Sequence, residues 1–174
     1  LGEATKTVPY AMDAEKTYRF TASWGESRDT DDAEGKVTGT CDKSPSQAEI
    51  EAMLPRFTGP LSQTPPAYSA IKVAGERAYD LARDGEEVVL EPRTVQVFEA
   101  RLLNARPERC EFEIRCGKGT YVRSWVRDIA LALGTLGHVS ALRRTRLGGW
   151  DEKDAVGLDT LTPFMHSPAA FGYL

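Results

Sequence analysis

The sequence contains no run approaching the roughly 20 apolar residues that span a bilayer as a helix, and its start lacks the pattern of a secretory signal. Cysteine is scarce and odd in number, with Cys41, Cys110 and Cys116 alone, so there is no disulfide framework. Cys110 and Cys116 stand six apart in a strand-like run and share one side of it, as core residues do. Histidine is scarcer still: His138 and His166 supply no cluster of zinc ligands, and neither metal nor cofactor is expected. These shortages together suit a reducing cytoplasm. Positive charge is short overall, with 22 Lys and Arg against 26 Asp and Glu, a net of −4.

That shortage is uneven. Between Arg101 and Arg146 ten basic residues face four acidic ones, a local +6, which leaves −10 for the rest. Such asymmetry suggests one anion-facing side. The 174 residues, 28% charged and 41% hydrophobic, suffice for one soluble domain with a sizeable core. The bulk, residues 1–150, reads as that domain, and 151–174 as a short tail or helix, too short for a further domain.

From Lys16 to Trp24 the residues alternate: Tyr18, Phe20, Ala22 and Trp24 share one face of a half-buried strand. Tyr18 is either a core aromatic or a face for a ligand. Arg28 to Gly35 is an acidic, turn-rich loop without the spacing or terminal glutamate of a calcium loop. It reads as solvated, with polar contacts to a cleft as its available role. Ser44-Pro45-Ser46-Gln47 predicts a helix capped by Ser44, with Pro45 at its first position and Gln47 closing the box. Ile50, Met53, Leu54 and Phe57 form its buried stripe, and Pro55 ends or kinks it.

Three prolines stiffen the approach from Gly59 to Pro66, so Tyr68 and Lys72 just beyond are well-placed candidates for a site. A short helix is expected from Glu76 to Asp84, then strands at Val88–Leu90 and Thr94–Leu103. After a turn near Asn104–Glu108, the alternation of Cys110, Phe112, Ile114 and Cys116 completes a hairpin. The stretch Cys116-Gly117-Lys118-Gly119-Thr120-Tyr121-Val122-Arg123-Ser124 then carries strand into helix. Val122, Trp125, Val126, Ile129, Ala130 and Leu133 shift the apolar period from two to about 3.6. Arg123 and Arg127, four apart, share one side of that helix. The dipole disfavours arginine near a helix start unless an anion meets it there. A further amphipathic segment, His138 to Arg146, offers Leu142 as core or crevice lining. Its Arg143, Arg144 and Arg146 either suit phosphates or form a solvated charge run.

In their order, these motifs resemble the bacterial tRNA pseudouridine synthases that modify uridine 55 of the TΨC loop. The resemblance runs from Gly2 to about Leu147 through Gly2-Glu3-Ala4-Thr5-Lys6, Lys16-Thr17-Tyr18, the 28–35 loop, Tyr68-Ser69-Ala70-Ile71-Lys72, Lys118 to Ser124 and His138 to Arg144. It implies an α+β pseudouridine synthase fold: a mixed, largely antiparallel sheet with flanking helices and an RNA-binding cleft, N-terminally incomplete. It implies the T-arm of tRNA as partner, without membrane or metal. Tyr18 would stack on the target base, Tyr121 would shape the pocket, and Arg123 would support the catalytic aspartate through a charge-assisted hydrogen bond. Tyr68, Lys72, Lys118, Leu142, Arg143 and Arg144 complete the expected substrate-binding set.

In that family the nucleophilic aspartate sits in a Gly-Thr-Leu-Asp-Pro type motif just upstream of the segment matching Gly2-Glu3. None of Asp29, Asp31, Asp32 and Asp128 stands in such a motif. The expectation is therefore a catalytic-domain fragment without its nucleophile, inactive alone, with Arg123 facing an unpaired pocket unless an anion or water meets it. Strand edges bared by the missing part offer a route to dimerisation. Two rival readings are a nonenzymatic RNA-binding module, motivated by the +6 segment, and a structural interaction domain, motivated by those edges.

Overall fold

The structure, a computed structural model, describes residues 2–73, 76–78, 90–157 and 159–160. A 3-10 segment, Gly2–Thr7, leads into the short helix α1 (Val8–Met12) and then the strand β1 (Lys16–Trp24). β1 has the range its alternation predicts, with Phe20, Ala22 and Trp24 buried and Tyr18 partly so. It lies inside an antiparallel sheet, between β8 (Arg109–Cys116) and β9 (Gly137–Leu147). The sheet runs outward from β8 to β7 (Arg93–Arg106) and β4 (Gly59–Gln63), and from β9 to β10 (Trp150–Asp151). Two small antiparallel pairs stand apart: β2 (Glu26–Arg28) with β3 (Val37–Thr40), and β5 (Lys72–Val73) with β6 (Glu76–Arg77).

Several expectations are corrected in detail. The proline-rich approach contains a strand, β4, tolerated because it is the sheet edge, where Pro60 need not donate to a further neighbour. His138 to Arg146 is not a separate amphipathic segment but most of β9, whose long pairing with β1 overrides its weak alternation. The hairpin strand β7 continues to Arg106, leaving a turn at Pro107–Glu108. Glu76 and Arg77 pair as β6 instead of starting a helix; residues 79–84 of that expected helix, most of Val88–Leu90 and the tail from Leu161 lie outside the described residues.

The helix α2 (Gln47–Met53) starts two residues later than expected. Ser46, not Ser44, accepts from the Glu49 N–H, and Glu49, not Gln47, closes the capping box. At Pro55 the helix tightens into a 3-10 turn, Leu54–Phe57, which keeps the apolar stripe on the core. The helix α3 (Val122–Ala132) occupies its predicted place and buries Trp125, Val126, Ile129 and Ala130 completely. Trp125 meets Phe20, Phe57 and Phe112 edge to face, with ring centroids 5.4–5.9 Å apart. Both α2 and α3 therefore cover the Phe20 face of the sheet. The opposite face carries a lattice of exposed ion pairs: Arg101 to Glu99 and Glu113, and Arg115 to Glu15.

Candidate active site

The turn between β8 and α3 needs one of its two glycines for conformational reasons. Gly119 has φ +80°, a left-handed geometry that side chains disfavour, whereas Gly117 has ordinary space for a Cβ. Tyr121 then caps α3 without a side-chain cap of its own. Its backbone is instead gripped by the buried amide of Gln63, at the end of β4: Gln63 Nε2 donates to Tyr121 O at 3.0 Å and Tyr121 N donates to Gln63 Oε1 at 2.8 Å. The Ser124 hydroxyl adds a bond to Thr64 O at 2.8 Å. These contacts fix the first turn of α3 against the sheet edge, and with it the base of Arg123.

Arg123 is not unpaired. Its Nη1 donates to Asp32 Oδ2 at 3.0 Å and to Thr30 O at 2.9 Å, and its Nη2 donates to Tyr68 O at 2.8 Å. The acidic loop expected to be solvated thus supplies the anion that makes arginine tolerable at a helix start. One turn on, Arg127 reaches Asp31 Oδ2 and Thr64 O, each at 2.8 Å, and Asp128 Oδ1 at 3.0 Å. Burial lifts the Asp31 and Asp128 carboxyls above their ordinary value, against the downward pull of Arg127.

Strand register sorts the remaining candidates. Opposite Tyr18 and Phe20 stand Arg144 and Leu142, so all four share the face that α3 covers, and Leu142 is half exposed there. Leu142 is therefore not core. Burial raises the Tyr18 hydroxyl pKa, opposed by the charge and hydrogen bond of Arg144. Arg143 pairs opposite Arg19 on the other face and binds Glu152 at 2.7 Å. Alternation thus separates two arginines that adjacency in sequence had grouped.

Lys118, Lys16, Arg144, Tyr10, Met12 and Trp150 border an open groove of about 800 Å³ on the Tyr18 side. Lys118 holds Asp13 at 2.7 Å and draws that carboxyl below its ordinary value. Tyr68 enters the site through its backbone carbonyl. Lys72 is placed on β5, opposite Arg77, and its side chain lies outside the described residues. Among the described residues no group of three or more His, Cys, Asp and Glu is placed to hold a metal ion. Burial pushes the Cys116 thiol up to about 11, leaving it protonated and unreactive.

The residues missed by sequence reasoning are Asp31, Asp32, Gln63 and Thr64. One signal was available for the first two. Adjacent acids in a short loop match a helix carrying arginines at i and i+4, although only the fold shows that they meet. Gln63 and Thr64 gave no such signal, since their contacts are to backbone.

An antiparallel sheet with α2 and α3 packed on one face and a cation-edged groove at the start of β1 has the fold of the pseudouridine synthases. Over 95% of its length the chain matches 40% of a chain in the crystal structure of a Cbf5–Nop10–Gar1 complex, at 26% identity and a TM-score of 0.67. A chain of an archaeal box H/ACA Nop10–Cbf5 complex shares the fold at 23% identity and a TM-score of 0.63, over 94% of this chain and 38% of that one.

Sequence comparison fixes the family. Residues 1–122 match the family model for the TruB family pseudouridylate synthase (N terminal domain), and 123–169 that for the tRNA pseudouridylate synthase B C-terminal domain. The chain belongs to the TruB family of pseudouridylate synthases. It is 57% identical to tRNA pseudouridine synthase B of Bradyrhizobium diazoefficiens over 92% of its length and 47% of that protein. The figures for the Caulobacter vibrioides protein of that name are 55%, 92% and 52%. The chain thus spans about half the length of the curated relatives it matches. The boundary between the two matched regions falls at the start of α3, yet β9, beyond it, pairs with β1, before it.

Proposed function

We propose that the protein carrying this chain converts uridine to pseudouridine in the T-arm of tRNA, in the cytoplasm, and that this chain supplies the base-stacking and arginine-bearing part of the site. One observation carries the reading: Arg123, in the Lys118–Ser124 motif, is held at the start of α3 by Asp32 and two backbone carbonyls. Such a guanidinium is fixed before substrate arrives, so presenting it to a second carboxylate costs little reorganisation. The reaction breaks the bond from C1′ to N1 and forms one from C1′ to C5 of the same base. N1 gains a proton and C5 loses one, so no redox cofactor is required. The uridine must leave its stack to be reached. Tyr18 offers the aromatic face, while Lys118 and Arg144 on the adjoining groove suit backbone phosphates.

The test is release of tritium from T-arm RNA labelled at uridine C5, using a longer protein in which this sequence is extended to the length of its curated relatives. Stoichiometric release with pseudouridine at one position is expected; no release with correctly folded protein overturns the reading. The chain alone is expected to bind the RNA in a salt-sensitive manner. Dimerisation through strand edges has less physical support. One sheet edge is the two-residue β10 and the other is β4 with its Pro60, both poor templates for pairing.

A further inference from the structure

Arg127 is outside the family motif that contains Arg123, yet its guanidinium is as fully engaged. It joins three segments: α3 itself through Asp128, the end of β4 through Thr64 O, and the loop between β2 and β3 through Asp31. Asp31 is unusual in its own right. It is buried, and among the described residues it is the only non-glycine with positive φ, at +60°. In an extended chain neighbouring side chains point to opposite sides. The left-handed turn at Asp31 breaks that alternation, so Asp31 and Asp32 both reach one face of α3, where Arg127 and Arg123 stand one turn apart.

The loop backbone is tied to the sheet beside this turn. Val139 N donates to Asp31 O at 3.0 Å, and Ala33 N donates to Val139 O at 2.9 Å, so Asp32 sits between two bonds to β9. Desolvation of Asp31 outweighs the attraction of Arg127. A buried pair of this kind adds little net stability but is costly to break from one side, and geometric specificity is a known use for it.

We propose that Arg127 and Asp31 form a positioning pair, fastening the 28–35 loop to α3 and to the end of β4 so that Asp32 meets Arg123 in one fixed geometry. Neither residue needs to touch substrate. The consequence for turnover rests on the function proposed above, whereas the fastening itself does not.

The first arm of the test is therefore independent of activity. Amide hydrogen exchange is followed in this chain and in Asp31→Asn and Arg127→Met. Asparagine tolerates the left-handed backbone and removes only the charge, which keeps the test sound if the arginine variant folds poorly. Exchange at Ala33 and Val139 should quicken about tenfold or more, with Phe112 and Ile114 on β8 unchanged. Unaltered loop exchange in Asp31→Asn overturns the proposal, as does equal acceleration at all four amides, which would mean general destabilisation.

The second arm uses the longer protein. There Asp31→Asn should lower kcat about tenfold with KM for T-arm RNA within about twofold, because misplacing a fixed charge raises the barrier more than it weakens binding. An unchanged kcat beside quickened loop exchange removes the link to turnover. If the unsubstituted longer protein makes no pseudouridine, the functional reading fails while the exchange result still decides the fastening.

Discussion

The two faces of the sheet carry arginines in opposite circumstances. On the helix-covered face Arg123 and Arg127 are about one-quarter exposed, and each binds carboxylate and backbone carbonyl from separate segments. On the opposite face Arg101 and Arg115 are 59% and 42% exposed and pair with carboxylates of β7, β8 and the residue just before β1. The charges are alike; what differs is desolvation and the reach of the contacts. A half-buried guanidinium bonded to loop and helix fixes the position of chain segments, whereas an exposed one trades water for a screened ion pair.

The sharpest way to break this contrast is Arg123→Met. It leaves Asp32 and the carbonyls of Thr30 and Tyr68 without their shared donor. Turnover of the longer protein should fall about 100-fold or more, as when one preorganised charged donor is removed from a reaction centre. Arg123→Lys should rescue little, because an ammonium cannot reproduce the planar fork that spans these acceptors. Near-normal single-turnover rates in either variant would show that this arginine is structural only.

Next in size is Gln63→Leu. Gln63 is 2% exposed, and the substitution removes both the acceptor of the Tyr121 N–H and a donor to its carbonyl. Leaving such a group unsatisfied costs about 1–3 kcal/mol, readable as a shift of the urea midpoint. Gln63→Met, which keeps the side-chain length without either polar group, should lose as much. A midpoint unchanged in both variants would mean that the side chain merely fills space.

How much of this was legible beforehand follows the range of the interactions involved. β1 and α3 could be read to the residue or nearly so, because alternation in Tyr18–Trp24 and the 3.6 period of Val122–Leu133 are local consequences of burial. The α2 cap was displaced because Ser44 and Ser46 both satisfy the local rule, and only the fold decides which one accepts from an amide. β4 was hidden by Pro60, whose strand propensity is poor everywhere except at an edge. Arg123 was legible as a site residue through its motif, but its partner was not. Asp32 lies 91 positions earlier, in a loop whose composition alone says solvent.

A smaller effect separates carboxylates on the same basis. Burial raises Asp31 and Asp128 above the ordinary 3.8. The folded state then binds their protons more tightly than the unfolded chain. Their contribution to stability is complete below 3.8 and lost as pH rises through the raised values. Asp13, lowered beside Lys118, runs the other way: its contribution is present above 3.8 and lost as pH falls through its lowered value. Removing the Asp31 carboxyl by Asp31→Asn should flatten the decline of Tm just above pH 3.8, by about 2 °C or less. A steeper decline in that variant would contradict the sign of the shift.

The smallest change is expected from Arg101→Ala, and it tests the other half of the comparison. Arg101 binds Glu113 at 2.5 Å and Glu99 at 3.3 Å. Those carboxylates keep other partners, Arg19 for Glu113 and Arg115 for Glu99, each at 3.9 Å. The loss is therefore of one member of an exposed lattice and should cost about 0–1 kcal/mol, shrinking further in salt. RNA affinity should also hold, because Tyr18, Arg144 and Lys118 occupy the opposite side. A fall in affinity together with a shallower salt dependence would mean that the Arg101 face also contacts phosphates. The two sets of arginines would then differ in burial but not in their separation from RNA.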